Sequence, residues 1–289
     1  MFIVSNPKLV IEQCKAGVVG SMPALNARPA SQLDEWLAEI TETLAAHDLV
    51  HPERPSAPFA VNQIVHKSND RLEADMAMVV KYKVPIIITS LGARTDVNDA
   101  VQAYGGQTLH DVINNTFARK AVEKGADGLI AVAAGAGGHA GSKSPFALVA
   151  EIRQWFEGPL ALSGAIATGG AVLAAQATGA DFAYIASALI ATHEARAAEE
   201  YKHAVVAGTS DDIVYTSLFT GVLGNYLASS IKAAGHHELR RRGAQESQAW
   251  KDIWGAGQGI GAIKEVTSAV EFIEKLKREY LAARKRLAL

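Results

Sequence analysis

Residues 133–144 read AAGAGGHAGSKS, placing one imidazole, His139, among four glycines, Gly135, Gly137, Gly138 and Gly141. Glycine gives up more conformational freedom on folding than any other residue, so a run this dense is kept where backbone must pass close to something. Histidine near its ordinary pKa can accept a proton or donate a hydrogen bond at neutral pH, so the segment reads as a loop that presents a base, His139, to a bound molecule. Two further segments, Ser163-Gly164-Ala165 and Ala186-Ser187, combine hydroxyls with small side chains. Such residues let backbone N–H groups close on a phosphate of a cofactor or a substrate, and a helix starting near Thr168-Gly169 is expected to add its positive end. His110 is open to either a packing or a functional reading.

These groups need a frame. Short apolar runs recur between helix-like stretches: FIV at 2–4, VVG at 18–20, FAV at 59–61, PIIIT at 85–89, QTL at 107–109, GLIAV at 128–132, PLAL at 159–162 and FAYIA at 182–186. Eight strands alternating with helices predict a (β/α)8 TIM barrel, with the reactive groups at the C-terminal ends of the strands. An internal echo supports repeated units. RKAVEKGADGLIAVAAG at 119–135 and LAAQATGADFAYIASAL at 173–189 each run from a helix end through Gly-Ala-Asp into a strand, with Gly125 and Gly179 as the expected left-handed closing residues. Residues 196–256 carry helical spacing, as at Leu223, Leu227 and Ile231, and are expected to form a small helical cap inserted after the eighth strand; residues 1–195 and 257–289 then make the barrel. Ser268-Ala269-Val270-Glu271 is a capping-box pattern for a last outer helix.

Other chemistry is disfavoured. Among the strand-end positions Asp111 supplies the one acid, so no metal site is expected. The single cysteine, Cys14, sits in an apolar stretch and reads as a core residue. Gly255 to Gly261 fails the dinucleotide pattern, because Ile260 stands where the third glycine should fall, and reads instead as a loop folding over the barrel mouth. Arg240, Arg241 and Arg242 read as a solvated charge run. A net charge of −2 gives no general field for nucleic acid. With no uninterrupted apolar run of membrane-spanning length and no signal-like start, a cytoplasmic protein outside the membrane is expected.

Several motifs together resemble the nitronate monooxygenase family, formerly 2-nitropropane dioxygenases: AGGHAG at 136–141, SGAIATG at 163–169, TGADFAYIAS at 178–187, YKHAVV at 201–206, FTG at 219–221 and GAGQGIGAI at 255–263. The resemblance runs over essentially the whole chain and implies an FMN-dependent barrel. It implies that Asn62 contacts the flavin ring, that Ser163, Gly164, Ala186 and Ser187 hold the FMN phosphate, that Gly137 and Gly138 belong to the cofactor site, that His139 faces the isoalloxazine, and that Gln258 lies near the flavin. The implied reaction takes an alkyl nitronate, or a nitroalkane, and oxygen to a carbonyl compound and nitrite, with His139 as orienting group or base. An NAD(P)H-dependent reductase of quinones or enoyl thioesters, and a cofactor-free isomerase or lyase acting on a phosphorylated metabolite, are the competing expectations. Association as a homodimer is left open.

Overall fold

The computed structural model describes residues 1–235 and 251–288. Seven parallel strands form one curled sheet in the order β1 (Gly20–Pro23), β2 (Phe59–Ile64), β3 (Ile86–Ser90), β4 (Gln107–Val112), β5 (Gly128–Val132), β7 (Leu160–Ser163) and β8 (Phe182–Ala183). Between β5 and β7 the glycine loop itself contributes a two-residue strand, β6 (Gly138–His139), to a second sheet. Helices α1 (Pro7–Lys15), α2 (Gln32–Val50), α3 (Leu72–Lys81), α4 (Thr95–Gln102), α5 (Asn115–Glu123), α6 (Pro145–Arg153) and α7 (Gly169–Ala177) alternate with the strands. A short α8 (Ser187–Ile190) and α9 (Glu199–Ala207) lead to the antiparallel strands β9 (Ile213–Thr216) and β10 (Gly224–Leu227), and α10 (Ala228–Ala233) and α11 (Ala269–Arg286) follow.

Two apolar layers follow from the alternation of strand side chains. The outer faces of β1, β2 and β3 supply Met22, Val61 and Ile87 to a core shared with Leu33, Leu37 and Ile40 of α2. The inner face supplies Ala60, Ile88, Ile130 and Ala161, which fill the curl below the strand ends. The Gly-Ala-Asp echo has a mechanical purpose. Gly125 and Gly179 adopt φ of +91° and +106°, ending α5 and α7, and the aspartate that follows ties the new strand to its neighbour. Asp127 accepts from Thr108 N at 2.7 Å and Asp181 from Leu160 N at 2.9 Å.

Two expectations need correction. Residues 2–4 are not a strand: Ser5 N donates to Met1 O, and Ile3 lies at φ +67°. The buried Asn26 amide accepts from Ile3 N at 2.7 Å and donates to Met1 O and Ser5 O, so it satisfies the backbone groups that a ladder would have used. Among the described residues the parallel sheet therefore has seven strands rather than eight, and its edges β1 and β8 face each other through side chains, with Ser21 Oγ 3.4 Å from Tyr184 Oη. The segment after β8 is not purely helical either. Leu223 and Leu227 have helical spacing, yet Gly224–Leu227 is strand β10, paired on one side with β9 and on the other with β6. Pairing with distant chain has overridden the local period. The arginines at 240–242 lie outside the described residues.

The capping box of the last helix forms as expected, Ser268 Oγ accepting from Glu271 N and Glu271 from Ser268 N. Cys14 is fully buried. No helix among the described residues is long and apolar enough to cross a membrane.

Candidate active site

The C-terminal ends of the strands open into a cavity of about 420 Å³, within the roughly 300–1,000 Å³ that suits a small organic ligand. Its walls come from the strand ends, from the loop after β5, and from Gly255, Gly257 and Gly259.

The three glycine-rich segments are packed on one another. A Cβ on Gly137 would stand 2.8 Å from both Gly257 N and Ser187 Oγ, and one on Gly257 would stand 2.5 Å from Gly135 O. One on Gly259 would meet Ala165 O at 2.8 Å. Much of the glycine content thus serves the close approach of backbone to backbone, and only the remaining surface faces the cavity. Gly135 O accepts from both Ala165 N and Gln258 N, Gly257 N donates to Ser187 Oγ at 2.8 Å, and Tyr201 Oη donates to Gly255 O at 2.5 Å from α9. From β10, Asn225 Nδ2 donates to Ala136 O at 2.7 Å. These bonds hold the loop from three sides.

His139 is set by strand pairing, its backbone opposite Gly224 of β10. Its Nε2 lies 2.8 Å from Thr220 Oγ1, whose hydroxyl donates onward to Val222 O at 3.2 Å. The Thr220 hydroxyl can accept from the Nε2–H tautomer while donating to Val222 O, and in that tautomer the basic lone pair lies on Nδ1. Burial lowers the pKa of His139, favouring the neutral ring at neutral pH.

A ring of polar side chains lies on the inner face of the strands. Asn62 Nδ2 donates to Ser90 Oγ at 2.7 Å and to Ile88 O at 3.1 Å. Ser90 in turn donates to Asp111 Oδ2 in a very short bond. Burial pushes the Asp111 carboxyl up to about 6, against the opposing effect of the Ser90 bond. Ser21 and Tyr184 complete the ring.

Most sequence candidates converge here. Asn62, Gly137, Gly138, His139, Ser163, Gly164, Ala186 and Ser187 all line the cavity. Gln258 does not: its side chain is exposed, and its flanking residues Gly257 and Gly259 form the wall. His110 points outward from β4, buried, with its Nδ1 2.6 Å from Thr89 Oγ1; burial lowers its pKa to about 4. The start of α7 is also withdrawn from the cavity, because Gly169 N donates to Glu279 of α11 at 2.8 Å. The chain's own carboxylate takes the place at that helix end that an anion was expected to fill. The sequence places Ser21, Ser90 and Asp111 at strand ends and Thr220 within the FTG motif, but it gives Thr220 no role toward the imidazole and does not join Ser21, Ser90, Asp111 and Tyr184 into a ring. Strand parity could have found the ring, since Ser90 and Asp111 alternate with the outward Thr89 and His110.

The sequence matches the family model described as nitronate monooxygenase over residues 1–279. The chain belongs to the nitronate monooxygenase family. It is accordingly an oxidoreductase of the flavin-dependent class. This nitronate monooxygenase family member is 26% identical over 269 residues to the nitronate monooxygenase of Paraburkholderia phytofirmans, covering 80% of this chain and 73% of that one. Its fold is similar to that of a nitroalkane oxidase from Streptomyces ansochromogenes, with a TM-score of 0.82 and 23% identity over 98% of this chain and 94% of the other. It is also similar in fold to FabK from Thermotoga maritima, with a TM-score of 0.81 and 22% identity over 100% and 93% of the two chains.

The cavity suits a flavin in the chemistry of its walls. The small residues Ser163, Gly164, Ala186 and Ser187 form one wall, where backbone can approach a phosphate without a cation; no Lys or Arg occurs among the described lining residues. The apolar Val132, Ile166 and Ile190 suit a flat ring, and the Asn62 amide supplies a polar edge. No grouping of three or more His, Cys, Asp or Glu that could hold a metal occurs among the described residues.

Proposed function

We propose that this protein binds FMN and oxidises alkyl nitronates, with oxygen as co-substrate, to a carbonyl compound and nitrite. The observation that carries the reading is His139, a neutral imidazole on the cavity wall, tethered through Nε2 to Thr220 and carried by the glycine loop characteristic of this sequence. FMN, when bound, supplies the electron transfer.

The chain's own residues do the rest. Ser163, Gly164, Ala186 and Ser187, which line one wall, would hold the phosphate, and Asn62, Gly137 and Gly138, which also line the cavity, would hold the ring. Loop 255–259 excludes water by closing on residues 135–137 and on Ala165. His139, a half-buried imidazole on the wall, takes the α-proton of a neutral nitroalkane; for a substrate that enters as the anion, it fixes the orientation of the nitro oxygens. Replacement of His139 by Gln tests the assignment: turnover of a neutral nitroalkane should fall at least 100-fold, the scale of a lost general base, while FMN stays bound. Unchanged turnover with full FMN occupancy refutes the role given to His139.

A further inference from the structure

Asp111 is the one carboxyl among the described residues lining the cavity, and the reaction above leaves it unused. Its register opposite Ile130 puts it on the inner face of β4. It is fixed there: Ser90 donates to its Oδ2, and the Asn62 amide orients Ser90. Among the described residues lining the cavity no Lys or Arg stands beside it. The neighbouring elements present Ser21 from β1, Asn62 from β2, Ser90 from β3, the apolar Ile130 and Val132 from β5, and the Tyr184 hydroxyl after β8, itself pushed up in pKa by burial and by the Asp111 charge. His139 and the Met1 amino group, the latter lowered to about 6 by burial, are the remaining titratable groups of the wall that change charge near neutrality.

A carboxyl in such a setting has two forms with opposite effects on a neighbour. The neutral form carries an O–H donor, and a nitro or carboxylate oxygen is a good acceptor for it. The ionised form is acceptor-only and repels the same oxygens. We propose that Asp111 is the specificity-determining residue for ligand charge. An oxyanion enters with uptake of one proton, which settles on the Asp111 carboxyl and is shared with the ligand, while the ionised residue excludes the anion. The proposal rests on the reading of the cavity as one for nitro compounds, and it makes neutral substrates the favoured form in alkaline solution.

Sodium nitrite is a suitable probe, because it stays anionic from pH 5.5 to 8. Calorimetric titration of the FMN-reconstituted protein in two buffers of different ionisation enthalpy counts protons directly. We expect close to one proton taken up per nitrite bound near pH 7.5, and none for Asp111→Asn. If only the protonated carboxyl binds, a group titrating at about 6 makes the apparent Kd rise about 50-fold between pH 6 and pH 8. Asp111→Asn should hold its Kd within about threefold over that span, since His139 and the Met1 amino group remain in place. Ser90→Ala removes the bond that favours the ionised form, so the rise should begin at higher pH than in the wild type. Nitrite binding without proton uptake, no nitrite binding at pH 5.5, or the full slope surviving in Asp111→Asn overturns the proposal. If the protein retains no FMN, the proposed reaction fails, whereas the same proton count on the flavin-free chain still decides the role of Asp111.

Discussion

Replacing Gly137 by Ala tests whether the glycine loop serves the closed mouth of the cavity. The added Cβ would sit 2.8 Å from Gly257 N, 2.8 Å from Ser187 Oγ and 3.0 Å from Ala256 C. Ordinary contacts begin near 3.4 Å, so loop 255–259 must retreat by about half an ångström, against backbone that cannot swing aside as a long side chain would. Gly137 does not lie at positive φ, so the effect is one of contact alone. Overpacking of this kind costs about 1–3 kcal/mol, which lowers the Tm by roughly 2–10 °C in a chain of this size. If about 1.4 kcal/mol of that strain is felt only with the mouth closed on its ligand, FMN affinity falls about tenfold. Circular dichroism melts give the first quantity and quenching of FMN fluorescence the second. Gly170→Ala is the control, because its Cβ meets nothing nearer than Thr168 Oγ1 at 3.9 Å; within helix α7 its Tm should not fall, and it should bind FMN as the wild type does. Wild-type Tm and wild-type FMN affinity in Gly137→Ala would refute the reasoning.

Thr220→Val removes the hydroxyl that holds His139 Nε2. With a hydrogen bond contributing about 0.5–1.5 kcal/mol, kcat/KM for a neutral nitroalkane should fall roughly 2- to 10-fold with FMN affinity unchanged, and stopped-flow measurement of the reductive step checks this. His110 is lowered to about 4 by burial, so the unfolded chain protonates first and its contribution to stability is lost as pH falls from about 6.5 to about 4, by up to about 3 kcal/mol. Asp111, raised to about 6, contributes in the opposite sense in an overlapping range: stability falls as pH rises from about 4 to about 6. The readout is therefore the difference between variants. Urea midpoints of His110→Gln should decline less than those of the wild type between pH 7 and pH 4.5, and parallel declines would show that burial of a neutral His110 is not the cause.

The strands were legible where an apolar run is covered on both faces, as with GLIAV, which forms β5 over the same five residues. Turn chemistry was equally local: Gly125, Gly179 and the Ser268–Glu271 box each announce a helix end within a few residues. What failed was decided at a distance. Residues 2–4 turn because the Asn26 side chain, more than twenty positions away, takes their backbone groups. Gly224–Leu227 extends because His139 and Thr216 pair with Gly224 from either side. The site divides the same way. His139 and the small residues after β7 and β8 were recognisable by type and spacing. Glu279, which occupies the start of α7, lies 110 residues from Gly169 and carries no local mark. The inner ring around Asp111 depended on strand parity, where Thr89 and His110, polar residues on the outer face, masked the alternation.

Anaerobic mixing of the FMN-reconstituted enzyme with propyl-2-nitronate, NADH and NADPH in turn tests the proposed reaction most directly. Rapid bleaching of the flavin absorbance by the nitronate, with the nicotinamides slow by comparison, is the predicted result. A colourless protein that cannot take up FMN, or one bleached by a nicotinamide and indifferent to the nitronate, would contradict it.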